Sequence, residues 1–77
     1  MKIWARKNVS AEFTNEELEI LINASLTGAG FDEAVKLLVD KYGGEGYMSG
    51  EEIALQAYEY DEEKYKGATG FQDIDWA

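Results

Sequence analysis

Phe31-Asp32-Glu33-Ala34-Val35-Lys36-Leu37-Leu38-Val39-Asp40-Lys41-Tyr42-Gly43-Gly44 is the stretch that decides the class of fold. Its apolar residues Phe31, Ala34, Val35, Leu38, Val39 and Tyr42 follow the i, i+3, i+4, i+7, i+8, i+11 pattern of one helical stripe. Asp32 and Glu33 stand in the first turn and Lys41 in the last, matching the poles of the helix dipole. Asp32 and Lys36 form an i,i+4 pair. Gly43-Gly44 then stops the helix. A helix with one apolar stripe needs a neighbour to bury it.

The neighbours lie on both sides. Upstream, Thr14-Asn15-Glu16-Glu17 fits a capping box, with Thr14 as N-cap and Glu17 reaching back. Leu18, Leu21, Ile22 and Leu26 then share a face, and Gly28 and Gly30 end that helix near Thr27. Its open face carries Glu16, Glu19 and Asn23. Downstream, residues 43–48 read as a glycine-rich loop, and Ser49-Gly50-Glu51-Glu52 is a second capping box that starts a third helix. Residues 53–66 carry two patterns. Ile53, Ala57 and Tyr60 suit a helix; Ile53, Leu55 and Ala57, with Tyr58 and Tyr60 opposite, suit a strand. The cap and the paired acids behind it favour helix to about Tyr60.

At the N-terminal end, Ile3, Ala5 and Val9 alternate with Trp4 and Arg6, so residues 2–9 read as a strand and residues 10–13 as a connection. In the tail, Phe71, Ile74 and Trp76 are too apolar for a free end, and they are expected to dock as a strand. The expected fold is α+β: one domain over residues 1–77, with two to three helices on a short strand pair built from the N-terminal segment and a later one. An all-α bundle is the alternative. The expected core is Leu18, Leu21, Ile22, Phe31, Val35, Leu38 and Tyr42.

The chain has 77 residues, no cysteine and no histidine. Disulfides and imidazole or thiolate metal sites are therefore excluded. A domain this short has a marginal core, which five Tyr, three Phe and two Trp enlarge. The first residues lack the apolar run of a signal peptide, and no stretch approaches transmembrane length.

Charge is the strongest functional signal. Sixteen acids against seven bases give a formal charge of −9. The signs are segregated: no Lys or Arg lies between Glu12 and Val35, or between Tyr42 and Glu63. Segregation costs self-repulsion and produces a one-signed field that steers a cationic partner. Direct binding to nucleic-acid phosphates or anionic lipid is disfavoured, so neither is an expected partner. A basic protein surface is.

Candidate chemistry is sparse. Ser10, Ser25 and Ser49 have no base in a recognisable motif, so no enzymatic activity and no cofactor are expected. Residues 40–52 resemble an EF-hand loop in their second half, with Gly46 as the turn glycine, Met48 as the apolar residue and Glu52 as the bidentate ligand. In that alignment Lys41 and Gly43 occupy the first two side-chain ligand positions and offer no oxygen; Asp40 comes one residue early. Metal ligands are therefore not assigned, and a degenerate calcium binder is kept as an alternative. The basic island of Lys2, Arg6 and Lys7 reads as an offset to nearby acids.

The most unusual local composition is Tyr58-Glu59-Tyr60-Asp61-Glu62-Glu63-Lys64-Tyr65. Aromatic anchors mixed with carboxylates can take Arg and Lys by ion pairing and cation–π contact. The expected partner-binding residues are Glu51, Glu52, Glu59, Asp61, Glu62 and Glu63, with Tyr58 and Tyr60 as anchors. Helical acids three or four positions apart lie about 5–6 Å from one another, close to the spacing of phosphates along a strand.

In size, charge and lack of cysteine the chain resembles the small acidic DNA-mimic inhibitors of phages and mobile elements, of the anti-CRISPR and anti-restriction type. The resemblance is one of bulk character and carries no functional residue with it. It implies a cytoplasmic protein of a bacterial host cell that blocks a nucleic-acid-processing complex. A generic protein–protein interaction module is the competing reading.

Overall fold

Thr14 opens the first helix as its spacing predicts. In the computed structural model, which describes residues 1–6 and 9–76 and only the backbone of Arg6, the Glu17 amide donates to Thr14 Oγ1 at 3.1 Å. The Thr14 amide in turn donates to Glu17 Oε1 at 2.9 Å. Helix α1 spans Asn15–Thr27 and ends at Gly28 in the left-handed region. Helix α2 (Phe31–Tyr42) returns along it and stops at Gly43, also at positive φ.

Around this hairpin lie two separate antiparallel ribbons. Strand β1 (Lys2–Arg6) pairs with β2 (Val9–Glu12), with Ile3 opposite Ala11 and an irregularity between Trp4 and Arg6. Strand β3 (Gly46–Met48) pairs with β4 (Ile74–Trp76), setting Met48 opposite Ile74. Helix α3 (Gly50–Tyr60) and the single-turn α4 (Glu62–Tyr65) connect the second ribbon.

The fold is α+β, as expected, but its strands differ from the reading in three ways. Residues 10–13 are largely strand rather than connection, because Val9 and Ala11 turn inward while Ser10 and Glu12 face out. The glycine-rich loop ends as a strand, with Met48 fully buried and Tyr47 outside. The N-terminal strand pairs with its own neighbour, not with a distant one. The tail does dock as a strand, on β3. Lys7 of the basic island lies outside the described residues.

Leu18, Leu21, Ile22 and Leu38 are completely buried, together with Ile3, Met48, Ile53 and Ile74 from the other elements. Phe31 is the exception to the expected core and is 43% exposed. It belongs to the right stripe, but as the first residue of α2 it runs off the end of the core. Val35 and Tyr42 are half-buried against the core's edge. Ala34 takes the fully buried place beside Leu38.

Tyr42 ties the halves together. Its hydroxyl donates to the Ile3 carbonyl at 2.7 Å, and its ring stacks on Trp76 with centroids 5.6 Å apart. Trp76 Nε1 donates to the Gly43 carbonyl at 3.1 Å, closing the end of α2 with the tail. Ser25, wholly buried in α1, donates through its hydroxyl to the Gln72 carbonyl at 2.6 Å, and the Gln72 amide returns a bond to the Ser25 carbonyl. The segment leading into β4 is thereby fixed to α1.

Candidate functional site

Helix α3 owes its start to two acceptors. Ser49 Oγ accepts from the Glu52 amide at 3.2 Å, as the second capping box predicts, although Glu52 does not reach back. Asp73, far along the chain, supplies the other acceptor: its Oδ1 takes the Gly50 amide at 2.7 Å. Its Oδ2 accepts from the Tyr47 hydroxyl at 3.0 Å. Gly50 is buried because the Phe71 carbonyl occupies the place of a Cβ.

With Ile53, Gln56 and Ala57 buried, the opposite face of α3 is defined. It carries Glu51, Glu52, Leu55 and Glu59, all exposed. The leucine is 59% exposed, the largest value among the big apolar side chains described. Glu51 and Glu59 lie one turn before and one turn after it. None of these acids has an ion pair among the described residues.

The eight expected partner-binding residues divide into three groups. Glu51, Glu52 and Glu59 share the face just described. Glu62 and Glu63 are exposed on α4. The other three also make hydrogen bonds within the fold. Asp61 caps α4, accepting from the Lys64 amide at 3.1 Å. Tyr60 turns toward α1 and donates to Glu19 Oε1 at 3.2 Å. Burial, and then that carboxylate, hold its hydroxyl above the usual tyrosine range. Two positions apart on a helix, Tyr58 and Tyr60 point about 200° away from each other, so they cannot anchor one surface. Tyr58 instead flanks the acidic face. Its hydroxyl donates to the Ala68 carbonyl, and its ring meets Phe71 edge-on at 6.2 Å.

Beside Tyr58, α3 and residues 68–71 enclose a shallow depression of about 200 Å³. Ala54, Tyr58, Ala68 and Phe71 supply apolar walls, and Glu51 stands at the rim. The sequence reading missed this depression and also Tyr47, Asp73 and Asp75. Tyr47 is 49% exposed on the outer side of the β3–β4 ribbon, opposite Asp75. The bond to Asp73, then burial, then the charges of Asp73, Asp75 and Glu51 hold its hydroxyl above its ordinary value. Negative charge from the tail thus adds to that of α3. The acidity of the tail was visible in the sequence; its return to the start of α3 was not.

Other expectations resolve locally. Gly46 lies in β3, not at a sharp turn, and the Trp76 ring takes the space beside it. The loop geometry that a calcium-site reading requires of this glycine is therefore replaced by a strand. No group of three or more acidic side chains converges as a metal cage among the described residues. Lys41 bridges to Glu17 at 3.0 Å and donates to the Glu12 carbonyl at 2.7 Å. Lys2 lies across from Glu12 in the first ribbon and over the ring of Trp4. Ser25 and Ser49 spend their hydroxyls on backbone groups. Among the described residues, no helix is long and apolar enough to cross a membrane.

Set against protein-family models, curated proteins and solved structures, the chain finds no match in any of the three comparisons.

Proposed function

We propose that this chain is a non-enzymatic acidic binding protein that occupies a basic, nucleic-acid-binding surface of a partner, in the manner of phage anti-CRISPR or anti-restriction inhibitors. One observation carries the reading. The outward face of α3 presents Glu51, Glu52 and Glu59 with no ion pair to a base among the described residues, and Glu62 and Glu63 follow on α4. Lysines and arginines placed to neutralise phosphates accept such carboxylates, and release of the partner's bound nucleic acid follows from competition for the same cations.

Leu55 favours a second reading. A phosphate imitation has no use for a leucine 59% exposed amid its acids. An interface does, because apolar anchors inside a polar rim carry much of the energy of protein association. The second reading is a generic protein–protein interaction module with an acidic rim.

Competition separates the two. The tagged protein is used to capture its partner from a bacterial lysate at low and moderate salt, and the purified partner is then titrated with DNA or RNA. The mimic reading expects a nucleic-acid-processing protein, bound less tightly as salt rises, from which nucleic acid and this chain displace one another. A partner that holds both together, neither weakening the other, overturns the mimic and leaves the interaction module.

A further inference from the structure

We propose that the depression between α3 and residues 68–71 receives an arginine side chain of the basic partner. The inference rests on the reading of the acidic face as a partner-binding surface, and it names the group that surface takes.

Size sets the first limit. At about 200 Å³ the depression falls below the range of about 300–1,000 Å³ usual for small-molecule sites. It has room for one extended side chain. Its walls set the second limit. Ala54, Ala68 and the edge-on pair of Tyr58 and Phe71 suit an aliphatic stem and the flat face of a guanidinium. The Tyr58 hydroxyl is already committed to the Ala68 carbonyl, so the wall offers a ring and not a free donor. Charge sets the third. Glu51 at the rim has no ion pair among the described residues, and Asp73, which accepts the amide of the lining residue Gly50, adds its charge beside it.

A second copy of the chain is a poor occupant, because two bodies of charge −9 repel. Lysine is a weaker candidate than arginine: its ammonium is more strongly hydrated and does not stack. A similar depression at the α1–α2 turn, lined by Ile20, Asn23, Gly30 and Glu33, has no aromatic wall. It supplies an internal control.

The test is an amide-shift titration by NMR with acetyl-Gly-Arg-Gly-amide, alongside the same peptide with lysine or with citrulline, the neutral isostere of arginine. Saturable shifts confined to Gly50, Glu51, Ala54, Thr69 and Gly70 are expected with arginine. Glu51→Gln should weaken arginine binding about two- to fivefold, the worth of an exposed ion pair, and leave the citrulline response unchanged. Ala54→Leu, which fills the depression, should abolish the saturable response. Equal responses to lysine and arginine overturn the assignment. So do shifts scattered over Glu16, Glu33 and Glu59 that never saturate and ignore both substitutions. That second result leaves the acidic-face reading standing if the partner is still displaced by nucleic acid. Saturable arginine binding, with a partner that holds nucleic acid at the same time, keeps the pocket and removes the mimic.

Discussion

Gly50 and Gly44 differ in what surrounds them, and the difference is measurable. A Cβ on Gly50 meets the backbone of Phe71, which cannot swing aside as a flexible side chain can. Gly50→Ala should therefore destabilise by about 1–3 kcal/mol, the usual cost of overpacking. Gly44 has open space around it and no left-handed backbone. Gly44→Ala should be neutral or stabilising by about 0.4–1 kcal/mol, through the unfolded chain. Urea midpoints check both, and equal midpoints for the two variants would contradict the packing described. Tyr42 gives a pH test. Burial pushes its hydroxyl up to about 12 from the ordinary 10.0. Above the ordinary value the unfolded chain loses this proton while the folded chain keeps it. Stability is thus intact below pH 10 and falls as pH rises from 10 toward 12. Unfolding free energies measured across that window should decline, and Tyr42→Phe should flatten the decline. At this scale the cap residues Thr14 and Ser49 were legible, because each acts within three positions. The roles of Gly46 and Gly50 were not, since the atoms that fill their spaces come from the tail.

The helices and the ribbons draw their stability from different ranges along the chain. Leu38 is completely buried in α2, and Leu38→Ala should cost about 2–5 kcal/mol. In a domain of this size that is a large share of the total. Thermal melts decide it, and an unchanged midpoint would mean the stripe is not the core. The second ribbon is tested through its tryptophan. Trp76 is 3% exposed and Trp4 45%. Trp4→Phe should leave a blue-shifted emission shielded from acrylamide, while Trp76→Phe should leave a red-shifted one that is readily quenched. The reverse order would undo the docking of β4. Helices α1, α2 and α3 were legible because periodicity and caps repeat over three turns. Strands of three or four residues contain too few positions for alternation to show, so β2 and β3 passed as connections. Helix α4 is one turn long, and its capping Asp61 reads in the sequence as a partner-binding acid because a single turn leaves no periodicity to mark it as a cap.

Over the whole molecule, charge dominates. A formal −9 is offset by few contacts: among the described residues the ion pairs involve only the Met1 amino group, Lys41 and Lys64. Self-repulsion should therefore outweigh those pairs, and added sodium chloride should raise the melting temperature from its low-salt value. A fall would mean that the pairs matter more than the net field. Reversing Glu59, Glu62 and Glu63 to lysine should leave the fold intact and its melting temperature no lower, because the reversal relieves self-repulsion, while partner capture is lost. Loss of the fold would show these acids to be structural. The acidity of the surface could be read from composition alone. Its shape could not, because it depends on which acids face outward. Asp61 and Tyr60 turned out to hold neighbouring elements, whereas Leu55 became a surface feature through its place on the helix.

The seating of the tail also bears on when the fold can form during synthesis. Ile74 and Trp76 complete the core, and Asp73 supplies an acceptor for the start of α3. While residues 72–76 remain inside the ribosome, α1 and α2 can pair, but Trp76 is missing from Tyr42 and the buried Ser25 hydroxyl lacks its acceptor. Until those residues emerge, the chain exposes an unfinished apolar surface. Its acids are already present at that stage. Their mutual repulsion keeps such chains apart until the final strand closes over the core.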